Sequence, residues 1–498
     1  MPATPEFTII RGGRLADPRT PDAPFVDILV ERDTIREIGP PGLAAPEGAL
    51  TFEAGGKLMH AGLVNAHTHG HGNLSKGFGD RWTLELLLTA APWVGGARTE
   101  EDKYLSTLIG AAEMLLKGST ACYDLAFEFP APTPSGLGAI AKAYGDVGMR
   151  AIVAPMVADL TFFEAIPGLK EALPDPLRRE VEALSMAPAD TTLARIREAV
   201  ETWAGGDTVR PAVAPTIPHH CTDGFLTGCR DIARAHGIGL HSHVAESKMQ
   251  AIVGRSRYAS TLLAHMDRLG LVGPEFVVAH GVWLDDDDMR RLADHGASVA
   301  HNPGSNALLG SGIADARRML DLGVNLGIGT DGSGCSDNQN MYEAMRTAIY
   351  VSHARGPAHL AEWLSNGEVF AAATEGSARA LGFDRLGRIA PTYQADIVFL
   401  DLSSINFIPL NNAINQIVLC EDGRSVSDVM VGGRMVVRDK RVVGLDLARL
   451  AADAEATRER LAAATVRQKA LFDRLAPLVS SYCPGLAAAP YHVERHAH

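Results

Sequence analysis

Two histidines one residue apart, His67 and His69, close an apolar run that reads Leu63-Val64-Asn65-Ala66-His67-Thr68-His69-Gly70. In extended chain, residues i and i+2 face the same side, so both imidazoles can aim at one point. Neutral imidazole nitrogen suits a borderline divalent ion, and a hydrolytic metal site takes three or more protein ligands with one position left to water. A chain with 18 histidines also produces such a pair by chance, so the pair acquires meaning only from partners elsewhere. Other apolar runs close in the same way: His241-Ser242-His243 leads to Glu246, Ala279-His280-Gly281 and His301-Asn302-Pro303 each present an imidazole, and Gly329-Thr330-Asp331-Gly332 presents a carboxylate.

These runs are the strands that must position the cluster. Short apolar stretches at 62–66, 120–124, 150–155, 209–215, 239–243, 276–280, 297–301 and 324–331 read as buried parallel strands, separated by helical periodicity at 102–117, 193–203 and 259–269. Eight alternating units fit a (β/α)8 TIM barrel, whose functional residues gather where the strands end. A doubly wound sheet is the alternative, but no Gly-x-Gly-x-x-Gly follows the first strand. Half-buried alternation at 7–10, 26–30 and 35–38 returns at 395–401 and 428–437. The two chain ends are therefore expected to form one small β-sandwich. The expected division is 1–60 with 386–445 as that composite domain, 61–385 as the barrel, and 446–498 as a helical extension whose His492, His496 and His498 lie on a mobile tail. The Pro-rich stretch 160–188 reads as an excursion near the barrel mouth.

Bulk composition narrows the function. A chain of 498 residues with 46 % hydrophobic and 21 % charged residues is an ordinary globular protein. Its net charge of −13 and the lack of a Lys/Arg cluster disfavour nucleic acid. No apolar run reaches membrane-spanning length and the N-terminus has no signal-peptide character, so a cytoplasmic protein is expected. The six cysteines form no Cys-x-x-Cys pair, which argues against a zinc ribbon or a disulfide scaffold.

Taken together, 62–69, 241–246, 279–281, 301–306, 329–332 and the closing Gly387-Arg388-Ile389 to Ala395-Asp396-Ile397 resemble the metal-dependent amidohydrolase superfamily. The resemblance runs through nearly the whole chain and is to the aminohydrolase branch, with its cytosine, guanine and S-adenosylhomocysteine deaminases and triazine hydrolases. It implies that His67, His69, His243 and Asp331 bind one divalent ion, zinc first and iron as the alternative, while Glu246, His280 and Asp331 carry the acid-base work. His243 and not His241 has the family's spacing to Glu246, which leaves His241 deeper on the same strand face. Related binuclear enzymes use a strand-four lysine; 209–216 has none, so one metal is expected. Ser333 and Cys335 have no His-carboxylate pair to make either a nucleophile.

Substrate contacts are expected from two loops, after strands one and four. Deaminases of the nucleoside type carry Arg-Gly-x-x-Asp-Asp in the first and Pro-His in the second. This chain has Lys76-Gly77-Phe78-Gly79-Asp80 and Pro215-Thr216, a departure that counts against a nucleoside. His71, Asn73, Trp82, His219 and His220, with His301, Asn302 and Asn306 after strand seven, are the candidate substrate contacts. Aromatic residues in such loops are also ordinary packing, and 301–306 reads equally well as a capped turn. Three readings stand: hydrolytic deamination of an N-heterocyclic small molecule; the same chemistry on an acyclic urea, carbamate or amide, or on a ring halide; and a non-catalytic relative, against which the intact ligand and acid-base set weighs. The resemblance also implies a homo-oligomer, a dimer or larger.

Overall fold

The computed structural model describes residues 5–20 and 22–496. Eight parallel strands form its centre: Leu63–Thr68, Ser119–Phe127, Arg150–Val157, Val209–Pro215, Gly239–Val244, Phe276–His280, Ser298–His301 and Asn325–Ile328. Each pairs with the next in sequence, and helices such as Glu100–Leu116, Pro134–Val147 and Asp223–His236 cover the outside. Strand alternation sorts the side chains into two faces. Inward positions include Ala66, Ala121, Ala154, Ala212, Ala214 and Ala300 with Val64, Tyr123, Leu125, Ile152 and Val277. Outward positions such as Val153, Val213, Val278 and Val299 pack on the helices.

The remaining strands come from both chain regions and form one nine-stranded mixed sheet. Lys57–Ala61, immediately before the first barrel strand, runs antiparallel to Ile397–Asp401 and ties the two halves of this sheet together. Arg150 at the start of the third barrel strand holds Asp396 at 3.2 Å, and Gly62 N donates to Asp396 O at 2.9 Å. The sheet thus grips the end of the barrel opposite its histidines.

The excursion between strands three and four folds as three short helices, Phe162–Ala165, Leu169–Ala172 and Asp175–Glu182, packed on Val466–Ala487 of the C-terminal extension. The mobile tail is a correction. His492 Nε2 lies 2.7 Å from Asp285 Oδ2, Arg495 bonds Asp315 and the Leu284 carbonyl, and the His496 ring stands 5.0 Å from Trp283. Ion pairs and an aromatic contact pin the segment across the loops after strands six and seven. His498 lies outside the described residues.

Candidate metal centre

The first strand delivers His67 and His69 side by side, both buried, and the loop after strand eight delivers Asp331 against them. Asp331 Oδ1 stands 3.5 Å from His67 Nε2 and 3.2 Å from His69 Nε2. Strand five adds His243, whose Nε2 is 3.3 Å from that of His69. His67, His69 and Asp331 form one group able to hold a cation, and His67, His243 and His280 a second, with donor atoms within 4.8 Å of one another in each.

Second partners fix the tautomers. His69 Nδ1 donates to the Leu125 carbonyl at 2.8 Å, His243 Nδ1 to the Thr216 carbonyl at 2.7 Å, and His280 Nδ1 to Asn306 Oδ1 at 2.8 Å. Each bond leaves an Nε2 lone pair free. Two such lone pairs then face each other at 3.3 Å, with a carboxylate oxygen 3.2 Å from one of them. Electron pairs repel in that arrangement unless positive charge lies among them, and imidazole nitrogens gathered with a carboxylate oxygen are the donor set a divalent ion takes.

Electrostatics sort the acids by role. Burial alone would push the Asp331 carboxyl up, but hydrogen bonds and charge from His67 and His69 outweigh it and hold the group well below the usual range. Glu246 behaves oppositely. Burial, reinforced by the negative charges of Asp331 and Glu85, pushes its carboxyl well above the usual range. Its Oε1 lies 3.6 Å from His280 Nε2, which is 3.7 Å from Asp331 Oδ2. Burial lowers the imidazoles of His243 and His280, keeping them neutral. Two left-handed residues aim this set: His280 at φ 71° and Asp331 at φ 60°. Side chains seldom adopt that conformation, which is characteristic of functional sites.

His241 lies two residues deeper on strand five, its ring 4.9 Å from His67 and edge-on to Tyr123 at 4.5 Å. The remaining candidates divide. His71 stands 5.3 Å from His69, with its Nδ1 accepting from Phe127 N at 3.3 Å. Asn302 Nδ2 is 3.5 Å from His280 Nδ1, and Asn306 holds the same nitrogen. His219 and His220 are buried against each other at 4.7 Å, on the short turn after strand four. Asn73 is engaged in structure, donating to the Gly70 carbonyl at 2.9 Å and accepting from Ser333 at 2.9 Å. Trp82 packs edge-on to Trp93 at 6.1 Å and tilted against Phe472 of the C-terminal helix at 5.3 Å. His301 shares the outward parity of Val299 and, with Val351 and His496, lines a cavity of about 310 Å³ beneath the pinned tail.

Sequence reasoning missed Gln339. Fully buried eight positions past Asp331, it accepts from Thr68 Oγ1 at 2.6 Å and donates to the Asp331 carbonyl at 2.8 Å. Nothing in its surroundings in the sequence marks it.

Comparison with known proteins agrees with this geometry. Residues 58–436 match the model of the Amidohydrolase family. A 5-methylthioadenosine/S-adenosylhomocysteine deaminase of Syntrophobacter fumaroxidans is 30 % identical over 89 % of this chain and 93 % of its own. A 5'-deoxyadenosine deaminase of Methanosarcina mazei is 30 % identical over 90 % of this chain and 96 % of its own. Among solved structures, an adenosine deaminase from Xanthomonas campestris with bound zinc superposes with a TM-score of 0.80 at 28 % identity, covering 92 % of this chain and 99 % of that one. Atrazine chlorohydrolase from Arthrobacter aurescens shares the fold, with a TM-score of 0.81 at 24 % identity over 91 % of this chain and all of that one.

Proposed function

The chain belongs to the amidohydrolase family, and we propose that it is a metal-dependent hydrolase that deaminates an N-heterocyclic small molecule, cleaving a C–N bond and releasing ammonia or an amine. In this reading His67, His69, His243 and Asp331 hold one divalent ion, zinc by the chemistry of the donor set and by its presence in the Xanthomonas deaminase. Bound there, such an ion supplies Lewis acidity and makes water a nucleophile near neutral pH. The chain's own groups do the rest. Asp331, kept ionised, takes a proton from the attacking water at its carboxylate. Glu246, whose carboxyl burial pushes up, gives a proton to a ring nitrogen of the substrate, relays to the departing amine the proton that Asp331 took, and is reprotonated by the added hydroxyl as the C–N bond breaks. His280, held neutral with Nδ1 on Asn306, offers Nε2 beside both carboxylates to orient the water.

The observation that carries the proposal is the convergence of both cation-holding groups on His67, with Glu246 within reach of His280. Deamination is favoured because the relatives at 30 % identity are named as deaminases of adenosine derivatives. Hydrolysis of an acyclic urea, carbamate or amide, or of a ring halide, is the second reading. Thr216, with its carbonyl given to His243, stands where the nucleoside deaminases carry histidine. Residues 61–385 would be the metal-dependent barrel, 1–60 with 386–445 its sheet domain and 446–498 its extension.

No described helix is long and apolar enough to cross a membrane; six free cysteines suit a reducing, cytoplasmic compartment, and the family resemblance suggests a homo-oligomer. The test is ammonia release by the zinc-loaded protein over purines, purine nucleosides, pyrimidines, triazines and substituted ureas. Turnover of at least one heterocycle with ammonia as product supports the proposal. Turnover confined to acyclic ureas would overturn it.

A further inference from the structure

Strands one and eight close the barrel, and their seam is where His67 and His69 meet Asp331. Every other neighbouring pair of barrel strands shares a β-ladder, whereas the order of the sheet ends with these two at its free edges. Side chains and isolated backbone bonds close the gap instead. Asp331 N donates to the His67 carbonyl at 3.0 Å, while Asn65 Oδ1 accepts from Thr330 N at 3.1 Å and Asn65 Nδ2 donates to Thr330 Oγ1 at 2.7 Å.

Gln339 lies across that seam. Its Oε1 accepts from Thr68 Oγ1 at 2.6 Å and from Thr330 Oγ1 at 2.9 Å; its Nε2 donates to the Asp331 carbonyl at 2.8 Å and to Ser333 Oγ at 3.2 Å. Thr68 is the residue between the two strand-one histidines, and Thr330 and Asp331 belong to the strand-eight loop. One fully buried amide therefore uses both its oxygen and its nitrogen to join the two sides. These bonds hold the Asp331 backbone in the left-handed region, at φ 60°.

We propose that Gln339 is a positioning residue for the metal centre, keeping the Asp331 carboxylate opposite His67 and His69 by clamping the strand-one and strand-eight edges. The inference rests on the metal site of the proposed function and adds a residue to it. It acts through Thr68 and the Asp331 backbone and touches neither substrate nor the reacting atoms.

The test is zinc retention by the purified full chain against a competing chelator, with thermal unfolding of the metal-free protein recorded alongside. Gln339→Met, of similar length and without the amide, is expected to weaken zinc retention by about 10–100-fold, the usual cost of losing a partner that orients a ligand. Thr68→Val removes the opposing donor and is expected to do the same, while Thr68→Ser restores retention. Combining Gln339→Met with Thr68→Val is expected to cost less than the two single losses together, since both break one network. Should Gln339→Met fail to fold, Gln339→Asn decides, since it keeps the amide but draws it back by one methylene while leaving the direct Thr68 bond to the Asp331 carbonyl at 3.2 Å in place: weakened zinc retention supports the clamp and unchanged retention overturns it. Variants that unfold at lower temperature yet hold zinc as tightly as the parent would overturn it. A parent that holds no zinc would overturn the proposed function itself.

Discussion

Histidines crowd both the inner end of the barrel and its outer rim, and the two groups differ in what faces them. At the inner end, His69, His243 and His280 each give one nitrogen to a fixed acceptor and turn the other toward a carboxylate or another imidazole. On the rim, His219 and His301 have neither ring nitrogen bonded, as is also true of His67 and His241 inside, but no carboxylate faces either rim residue among the described residues. Burial lowers the imidazoles of His243, His280, His219 and His301 alike, whereas at His69 the hydrogen bond and charge of Asp331 outweigh burial and raise it. At the inner end the imidazoles converge with one another and with the Asp331 carboxylate, and that convergence is what makes a place for a cation.

Breaking the inner end should cost chemistry. Glu246→Gln keeps the shape of the group but removes its proton traffic, and kcat should fall by about 10²–10⁴-fold with zinc content unchanged. Stopped-assay ammonia release beside a zinc measurement checks both halves. An unchanged kcat would move the proton to another group.

Breaking the rim should cost stability instead. Phe472 lies buried against Trp82 and Trp93, so Phe472→Ala removes the ring on which that aromatic group packs. A loss of about 3–5 kcal/mol in denaturant unfolding is expected, with kcat per folded molecule close to that of the parent. A large fall in kcat instead would return Trp82 to the substrate.

Acid sharpens the comparison further. Burial holds the His301 imidazole down to about 4, so the unfolded chain, titrating near 6.5, binds the proton first. His301 therefore contributes its stability above about pH 6.5 and loses it as the pH falls toward 4, roughly 3 kcal/mol across the window. His301→Leu should flatten that part of the stability profile of the metal-free protein. A profile of unchanged slope would show that His301 has another partner in solution.

The inner end is legible in sequence because its ligands sit at the ends of strands, where a period of two breaks off into His, Asp or Gly. The apolar run before His67 and the strand-five histidines before Glu246 tell which side they face. The strand before the barrel, Lys57–Ala61, lies outside the runs read as strands because it is short and follows directly on the turn residues Gly55-Gly56. Trp82 looks like a pocket aromatic until the C-terminal helix folds back and brings Phe472 to it. His301 shows its outward parity only once Val299 and Ala300 are assigned to opposite faces. The tail is tied by contacts to Asp285, Asp315 and Trp283, far off in the chain. Gln339 lies in a loop without periodicity, and its four bonds reach residues that only the closed barrel brings together.

The most direct measurement is the zinc content of the purified protein and of Asp331→Ala, by elemental analysis after dialysis against a weak chelator. One ion per chain in the parent and almost none in the variant is the predicted result. A parent that retains no ion, or a variant that keeps its ion as tightly as the parent, would contradict the account.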